Sequence, residues 1–351
     1  MPRWTAVTGM LIPLVLCGGV AGQQPTLDVR VVTDQADAVL AILDHLAAGQ
    51  QPADSAWRRL FESEGYRRLQ QREAALRRDF TDSAFREFVR SPDLVARAPA
   101  LGATLARWVG TDPTAAARAA FAYLPRHARI RASVYPVIKP RTNSFVFEPR
   151  TNPAIFLYLD PAVTAPKFAN TLAHELHHLG YANACPEAPP DSTVPPGIRA
   201  ALDWMGGFAE GRAMLAAAGE PDVHPHATSD SAERGVWDRD VALVPRDLAR
   251  LETFYFDLLG GRLSDDAARE RGFTFVSTDS VPQGAFYTVG WYMAAVVERE
   301  LGRERLVATV CESARFLSDY NRAAARIAAR GAGSLPRWSD SLLVRVGVVA
   351  P

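Results

Sequence analysis

The spacing of apolar residues divides the chain into a helical first part, a short region of strands and a longer helical second part. From Thr33 to about Tyr123, apolar residues recur at helical spacing, as at Val39, Leu43 and Leu46, with charged residues between them. This pattern predicts an all-helical N-terminal part. Four prolines are expected to divide it into short helices: Pro52, Pro92, Pro99 and Pro113.

The pattern changes near Arg126. Residues 129–134 alternate polar and apolar, which is typical of a half-buried strand, and residues 145–147 and 154–159 are two further strand candidates. From Pro196 onward the helical pattern returns, and its breaks are at Gly219, Pro245, Gly260–Gly261 and Pro336. We therefore predict a mainly α fold of the α+β class, with a small sheet that precedes the central helix.

That central helix carries its own end signals. Thr164 is a candidate N-cap, Pro166 lies in the first turn, and Gly180 is a candidate stop. Its apolar residues recur at intervals of four, four and three positions, which indicates a helix that is buried on one side. They are Phe168, Leu172, Leu176 and Leu179.

The same helix contains the sequence His174-Glu175-Leu176-His177-His178. His174 and His178 are four residues apart, so both imidazoles can point at one metal ion, and Glu175 can reach a metal-bound water as general base. His177 is an alternative ligand at a spacing of three. We prefer His178, because only that choice places Glu175 between the ligands as metallohydrolase chemistry requires. The alternative to a metal site is a set of surface or core histidines.

A catalytic zinc site needs a third protein ligand. A third histidine six residues after His178 is excluded, because Ala184 stands there. Glu210 is the acid set among small and apolar residues in a following helical stretch, and we predict that it is this ligand. Three glycines around it, Gly206, Gly207 and Gly211, suggest close approach of two helices. The alternative is that Glu210 forms an ordinary ion pair with an arginine. Asp203 lies seven residues before Glu210 on the same helix face, and it either supports a metal ligand or is simply exposed to solvent.

The oxyanion that forms during hydrolysis needs a donor besides the metal. Tyr287 is the first candidate, because Gly290 one turn later permits its helix to approach closely. A tyrosine packed in the core is the alternative. His224, His226 and Arg212 are further candidates, although His224 and His226 lie in a polar loop where surface histidines are common.

With these motifs, the chain resembles exported bacterial zinc-dependent peptidases of the gluzincin type, in which two histidines and a downstream glutamate hold the metal. The resemblance covers roughly residues 129–306 and includes the segments 208–213 and 287–293. It implies a thermolysin-like catalytic core with one zinc ion, but not a particular substrate. The chain lacks the Asn-Glu-x-x-Ser-Asp form of the glutamate motif found in thermolysin.

The composition of the chain mainly argues against particular classes of function. The formal charge is zero and the arginines are scattered, so we expect no nucleic acid partner. Arg3, the apolar run from Met10 to Leu16 and the small residues up to Gly22 predict a signal peptide over residues 1–22, and therefore a periplasmic or extracellular protein with no membrane span. A lipid anchor on Cys17 is less favoured, because Leu16 stands where a small residue is expected.

We predict two units after the signal peptide: a helical region over residues 23–125 and a zincin-like domain over residues 126–351. A disulfide between Cys185 and Cys311 is allowed but not required. The leading hypothesis is a zinc peptidase that acts on peptide or protein substrates. The alternatives are another zinc amide or ester hydrolase, and a binding protein that zinc stabilises without catalysis.

Overall fold

The computed structural model describes residues 26–185, 193–278 and 280–347. The predicted signal peptide, including Cys17, lies outside these residues. In the described part, helices dominate and a small sheet precedes the central helix, so the predicted fold class is confirmed.

Within the described residues, six helices precede the second strand. They are α1 (Asp34–Ala47), α2 (Asp54–Glu62), α3 (Glu64–Ala75), α4 (Asp82–Val89), α5 (Pro92–Val109) and α6 (Pro113–Phe121).

In the part of the chain that the structure describes, ten more α-helices follow the sheet. They are α7 (Ala165–Ala184), α8 (Pro196–Met205), α9 (Ala209–Ala218), α10 (Ser231–Val241), α11 (Val244–Leu259), α12 (Asp265–Phe273), α13 (Ala285–Leu301), α14 (Arg303–Val307), α15 (Ser313–Ala329) and α16 (Asp340–Arg345). A short 3-10 turn, Gly206–Phe208, connects α8 to α9.

The sheet is mixed and has four strands in the described residues: β1 (Leu27–Val31), β2 (Ile130–Val137), β3 (Phe145–Phe147) and β4 (Ala154–Tyr158), in the order β1-β2-β4-β3. β2 lies between β1 and β4 and is parallel to both, whereas β3 is antiparallel to β4. The three predicted strands are confirmed. β1 was not predicted, although Leu27, Val29 and Val31 alternate with Asp28 and Arg30. It lies before Thr33, where the predicted helical pattern begins, but inside the unit 23–125 that was expected to be helical.

Pro99 does not end a helix, contrary to the prediction, and lies inside α5. A proline inside a helix costs about 3 kcal/mol through the lost hydrogen bond and a steric clash. The apolar stripe of α5 continues on both sides of Pro99, with Leu94 and Ala98 before it and Leu101 and Leu105 after it, all buried. Packing of this stripe against the core outweighs the local penalty.

Two large hydrophobic clusters fill the interior. One joins the N-terminal helices, the sheet and α7, and includes Ile42, Trp108 and Leu172. The other joins helices that follow α7, and includes Phe208 and Met293. The core of the N-terminal helices is thus continuous with that of the sheet and α7. Within the described residues, no helix is both long and apolar enough to span a membrane.

Candidate metal centre

Helix α7 presents the predicted metal-binding residues. Its N-cap is Thr164, whose side-chain oxygen accepts a hydrogen bond from the Lys167 backbone N–H. Phe168, Leu172, Leu176 and Leu179 are all buried in the core that α7 shares with the sheet, as the apolar stripe predicted.

The predicted stop at Gly180 is wrong, because α7 continues to Ala184. Gly180 instead allows close packing: a Cβ at this position would lie 2.2 Å from Leu124 Cδ1 and 3.2 Å from Ile130 Cγ1. The glycine therefore lets the central helix approach strand β2 and the segment before it.

Helix α9 supplies Glu210. The glycines that surround it differ in role. A Cβ on Gly211 would lie 2.0 Å from the Trp291 backbone nitrogen, and one on Gly207 would meet the Phe286 ring at 2.7 Å, whereas one on Gly206 would meet nothing within 4 Å. The predicted close approach of two helices is therefore present. The two helices are α9 and α13, and Gly211 allows their backbones to come together.

Three side chains from these helices converge. His178 Nε2 lies 3.0 Å from His174 Nε2 and 3.0 Å from Glu210 Oε2. The distance from His174 Nε2 to Glu210 Oε2 is 3.3 Å. Among the described residues, these three are the group of His, Cys, Asp and Glu side chains whose ligand atoms lie close enough together to hold a metal ion.

The geometry and chemistry of this group fit a zinc ion. Ligand atoms bound to tetrahedral zinc at about 2.0–2.1 Å are about 3.3 Å apart, close to the three distances found here. Two imidazoles and one carboxylate are also a donor set typical of catalytic zinc. Three electron-rich atoms this close together require a proton or a cation between them.

The charge states of the three side chains depend on one another. Burial favours the neutral form of Glu210, but the neighbouring His178 and His174 outweigh it and hold the pKa of the carboxyl group well below its usual range. Burial also disfavours charged His178, yet the charge of Glu210 and the hydrogen bond to it raise the pKa of His178 to about 9. Glu210 is therefore ionised, as a metal ligand must be.

A cavity of about 530 Å³ opens beside this group, and His174, Glu175 and Tyr287 are among its lining residues. The Tyr287 ring is parallel to the His174 imidazole, with 6.1 Å between ring centroids. Burial, the charge of Glu210 and a hydrogen bond to it raise the pKa of Tyr287, so its hydroxyl stays protonated as a donor. The cavity therefore brings a carboxylate and a hydroxyl donor next to the candidate metal ligands.

Several other predicted candidates lie away from this cavity. His177 is fully buried, and burial lowers its pKa, so it is a neutral core imidazole. Arg212 is also buried; it donates a hydrogen bond to the Val310 carbonyl and lies over the Phe316 ring. Asp203 is exposed. These three residues do not join the convergent group.

The loop candidates have separate positions. His226 lines the cavity, whereas His224 is not among the lining residues and pairs with Asp238. Gln283, which sequence reasoning missed, also lines the cavity and accepts a hydrogen bond from His226. A lone glutamine before a helix gives no sequence signal, so only the fold reveals it.

Two histidines of α7 and a glutamate of α9 therefore form a candidate metal site beside an open cavity, an arrangement of the kind found in metal-dependent hydrolases. Residues 112–329, more than half of the chain, match the family described as "Putative zinc dependent peptidase (DUF5700)", and the chain belongs to this family. Searches of curated proteins and of solved structures found no match.

Proposed function

We propose that the protein is a zinc peptidase of the gluzincin type, with His174, His178 and Glu210 as the metal ligands. The observation that carries the proposal is the convergence of their three ligand atoms within 3.0–3.3 Å next to a cavity. Membership of the zinc peptidase family supports it. When bound, zinc would acidify a water molecule and polarise the carbonyl group of the substrate.

The residues of the chain supply the remaining chemistry. Glu175 follows His174 on α7 and faces the same cavity, where its carboxylate would accept a proton from the attacking water and return it to the leaving amine. Tyr287 keeps its proton and would donate a hydrogen bond to the developing oxyanion.

The proposal includes export from the cytoplasm. Its supports are the predicted signal peptide and the disulfide that joins Cys185 to Cys311. Such bonds form and persist in oxidising compartments. Both features support the proposal of a periplasmic or extracellular location, and detection of the processed chain in a periplasmic or culture fraction would test it.

Zinc content and peptide hydrolysis, measured on matched variants, test the catalytic proposal. His178→Ala should lose more than about 100-fold in zinc affinity, because it removes a ligand, whereas Glu175→Gln should retain one zinc per chain and lose hydrolysis of a peptide library. His177→Gln, one residue from the ligand but in the core, is the matched control and should retain zinc. Unchanged hydrolysis by Glu175→Gln, or zinc retention by His178→Ala, would contradict the proposal.

A further inference from the structure

The turn that contains His224 and His226 has a chain of hydrogen bonds that ends in the cavity. The His224 ring pairs through Nε2 with Asp238 Oδ1 at 3.0 Å, and its Nδ1 accepts a hydrogen bond from the His226 backbone N–H at 2.9 Å. The turn is therefore tied to helix α10 at one end. These bonds fix the backbone from which the His226 side chain projects.

The His226 side chain in turn orients Gln283. Its Nε2 lies 2.7 Å from Gln283 Oε1, and its Nδ1 lies 3.3 Å from the Ser229 hydroxyl. A carbonyl oxygen only accepts, so Nε2 carries the hydrogen in neutral His226 and Nδ1 is the unprotonated ring nitrogen. Burial lowers the pKa of His226, which agrees with this neutral form.

With its oxygen held by His226, the amide of Gln283 has a defined orientation, and its nitrogen is the end left for other partners. That nitrogen lies 3.6 Å from the Met214 sulfur, a weak acceptor, which also lines the cavity. An amide nitrogen has two hydrogens, so at least one remains available for a ligand. Asn170, the other amide that lines the cavity, donates one of its hydrogens to the Ala217 carbonyl.

We propose that Gln283 is a substrate-binding residue whose amide donates a hydrogen bond to a backbone carbonyl of a bound peptide, and that His226 is the positioning residue that aims it. This inference rests on the proposed peptidase function and names a residue for peptide recognition at the same cavity. A peptide backbone presents carbonyl acceptors on both sides of the bond to be cleaved, which matches a fixed amide donor beside the metal ligands.

Binding of two zinc-directed probes to the zinc-loaded full chain tests the proposal without requiring turnover. Acetohydroxamate reaches only the metal, whereas a hydroxamate extended by a dialanine amide adds peptide carbonyls. Gln283→Leu and Gln283→Glu should both weaken the extended probe about 3- to 10-fold and leave acetohydroxamate within about twofold, because each removes the donor. Gln283→Glu keeps an oxygen that accepts the hydrogen bond from His226. It therefore separates loss of the amide donor from loss of the contact that joins residue 283 to the His226 turn.

Further variants complete the test. His226→Leu should weaken the extended probe by a similar factor, because the amide is no longer oriented, and Val236→Ala, which changes an apolar cavity residue, should alter neither probe. Zinc content is measured for each protein. If wild type and both Gln283 variants bind the extended probe with equal affinity, the proposed role of Gln283 is wrong, but the peptidase proposal is not affected. A wild type that binds the extended probe no more tightly than acetohydroxamate would instead contradict the peptidase proposal.

Discussion

Gly211 on α9 and Gly290 on α13 lie in direct backbone contact: a Cβ on Gly211 would lie 2.3 Å from the Gly290 carbonyl carbon, and one on Gly290 would lie 3.2 Å from the Gly211 Cα. Glu210 directly precedes Gly211, and Tyr287 lies one turn before Gly290. The helix crossing therefore sets the distance between a candidate metal ligand and the candidate oxyanion donor.

This crossing predicts that Gly211→Ala destabilises the protein. The added methyl group would lie 2.0 Å from the backbone nitrogen of Trp291, which cannot move aside as a flexible side chain can. We expect a loss of about 2–3 kcal/mol in the free energy of unfolding, together with weaker zinc binding. Urea unfolding and zinc titration measure these effects. Gly206→Ala, whose Cβ would meet nothing within 4 Å, should be neutral or slightly stabilising; equal effects of the two changes would contradict the packing argument.

The sequence predicts helix α7 well, because its signals are local. The Thr164 cap, the apolar stripe and the spacing of His174 and His178 all depend on residues within a few helical turns. Prediction of the third candidate ligand required a comparison between distant segments. The glycines beside Glu210 made that comparison possible. The helix against which these glycines pack is α13, and sequence spacing alone does not identify it.

The failures of prediction have a common physical cause. Local propensity predicts a helix end at Gly180 and at Pro99. Both residues lie inside helices, because packing against neighbouring elements determines whether the helix continues. Leu124 fills the space beside Gly180, and buried stripes continue past Pro99. Gln283 had no local signal at all, because its position depends on a hydrogen bond to a residue 57 positions away.

Tyr287→Phe should impair catalysis without removing the metal. The change deletes the hydroxyl that faces Glu210 and leaves the ring parallel to His174 in place. We expect the turnover number on a peptide substrate to fall by about 100-fold, because one oxyanion donor is lost, while the zinc content stays at that of wild type. Tyr292→Phe, on the same helix but outside the lining of this cavity, is the matched control. A fall in zinc content that parallels the fall in rate would indicate a structural role for Tyr287.

The disulfide should contribute strongly to stability. It joins Cys185, at the C-cap of α7, to Cys311 across 126 residues, and closing a loop of that length stabilises a fold by about 5 kcal/mol in the chain-entropy model. We expect the Cys185→Ala/Cys311→Ala double variant to melt well below wild type. Dithiothreitol should lower the melting temperature of wild type toward that of the variant and leave the variant unchanged. A wild type that is indifferent to reductant would refute this contribution.

Lys139 provides a prediction for the dependence of stability on pH. Its side chain is only 4% exposed and donates to the Arg141 carbonyl and to Asn143 Oδ1, and burial lowers its pKa to about 8 from an ordinary value of 10.5. The folded protein therefore releases this proton at lower pH than the unfolded chain, so burial of the charge costs most below pH 8 and the cost falls as the pH rises toward 10.5. The free energy of unfolding of wild type minus that of Lys139→Met should thus increase between pH 7.5 and 10, by on the order of 2 kcal/mol. Chemical unfolding of both proteins across this range measures the difference. A difference that stays constant with pH would mean that Lys139 titrates alike in the folded and unfolded chains.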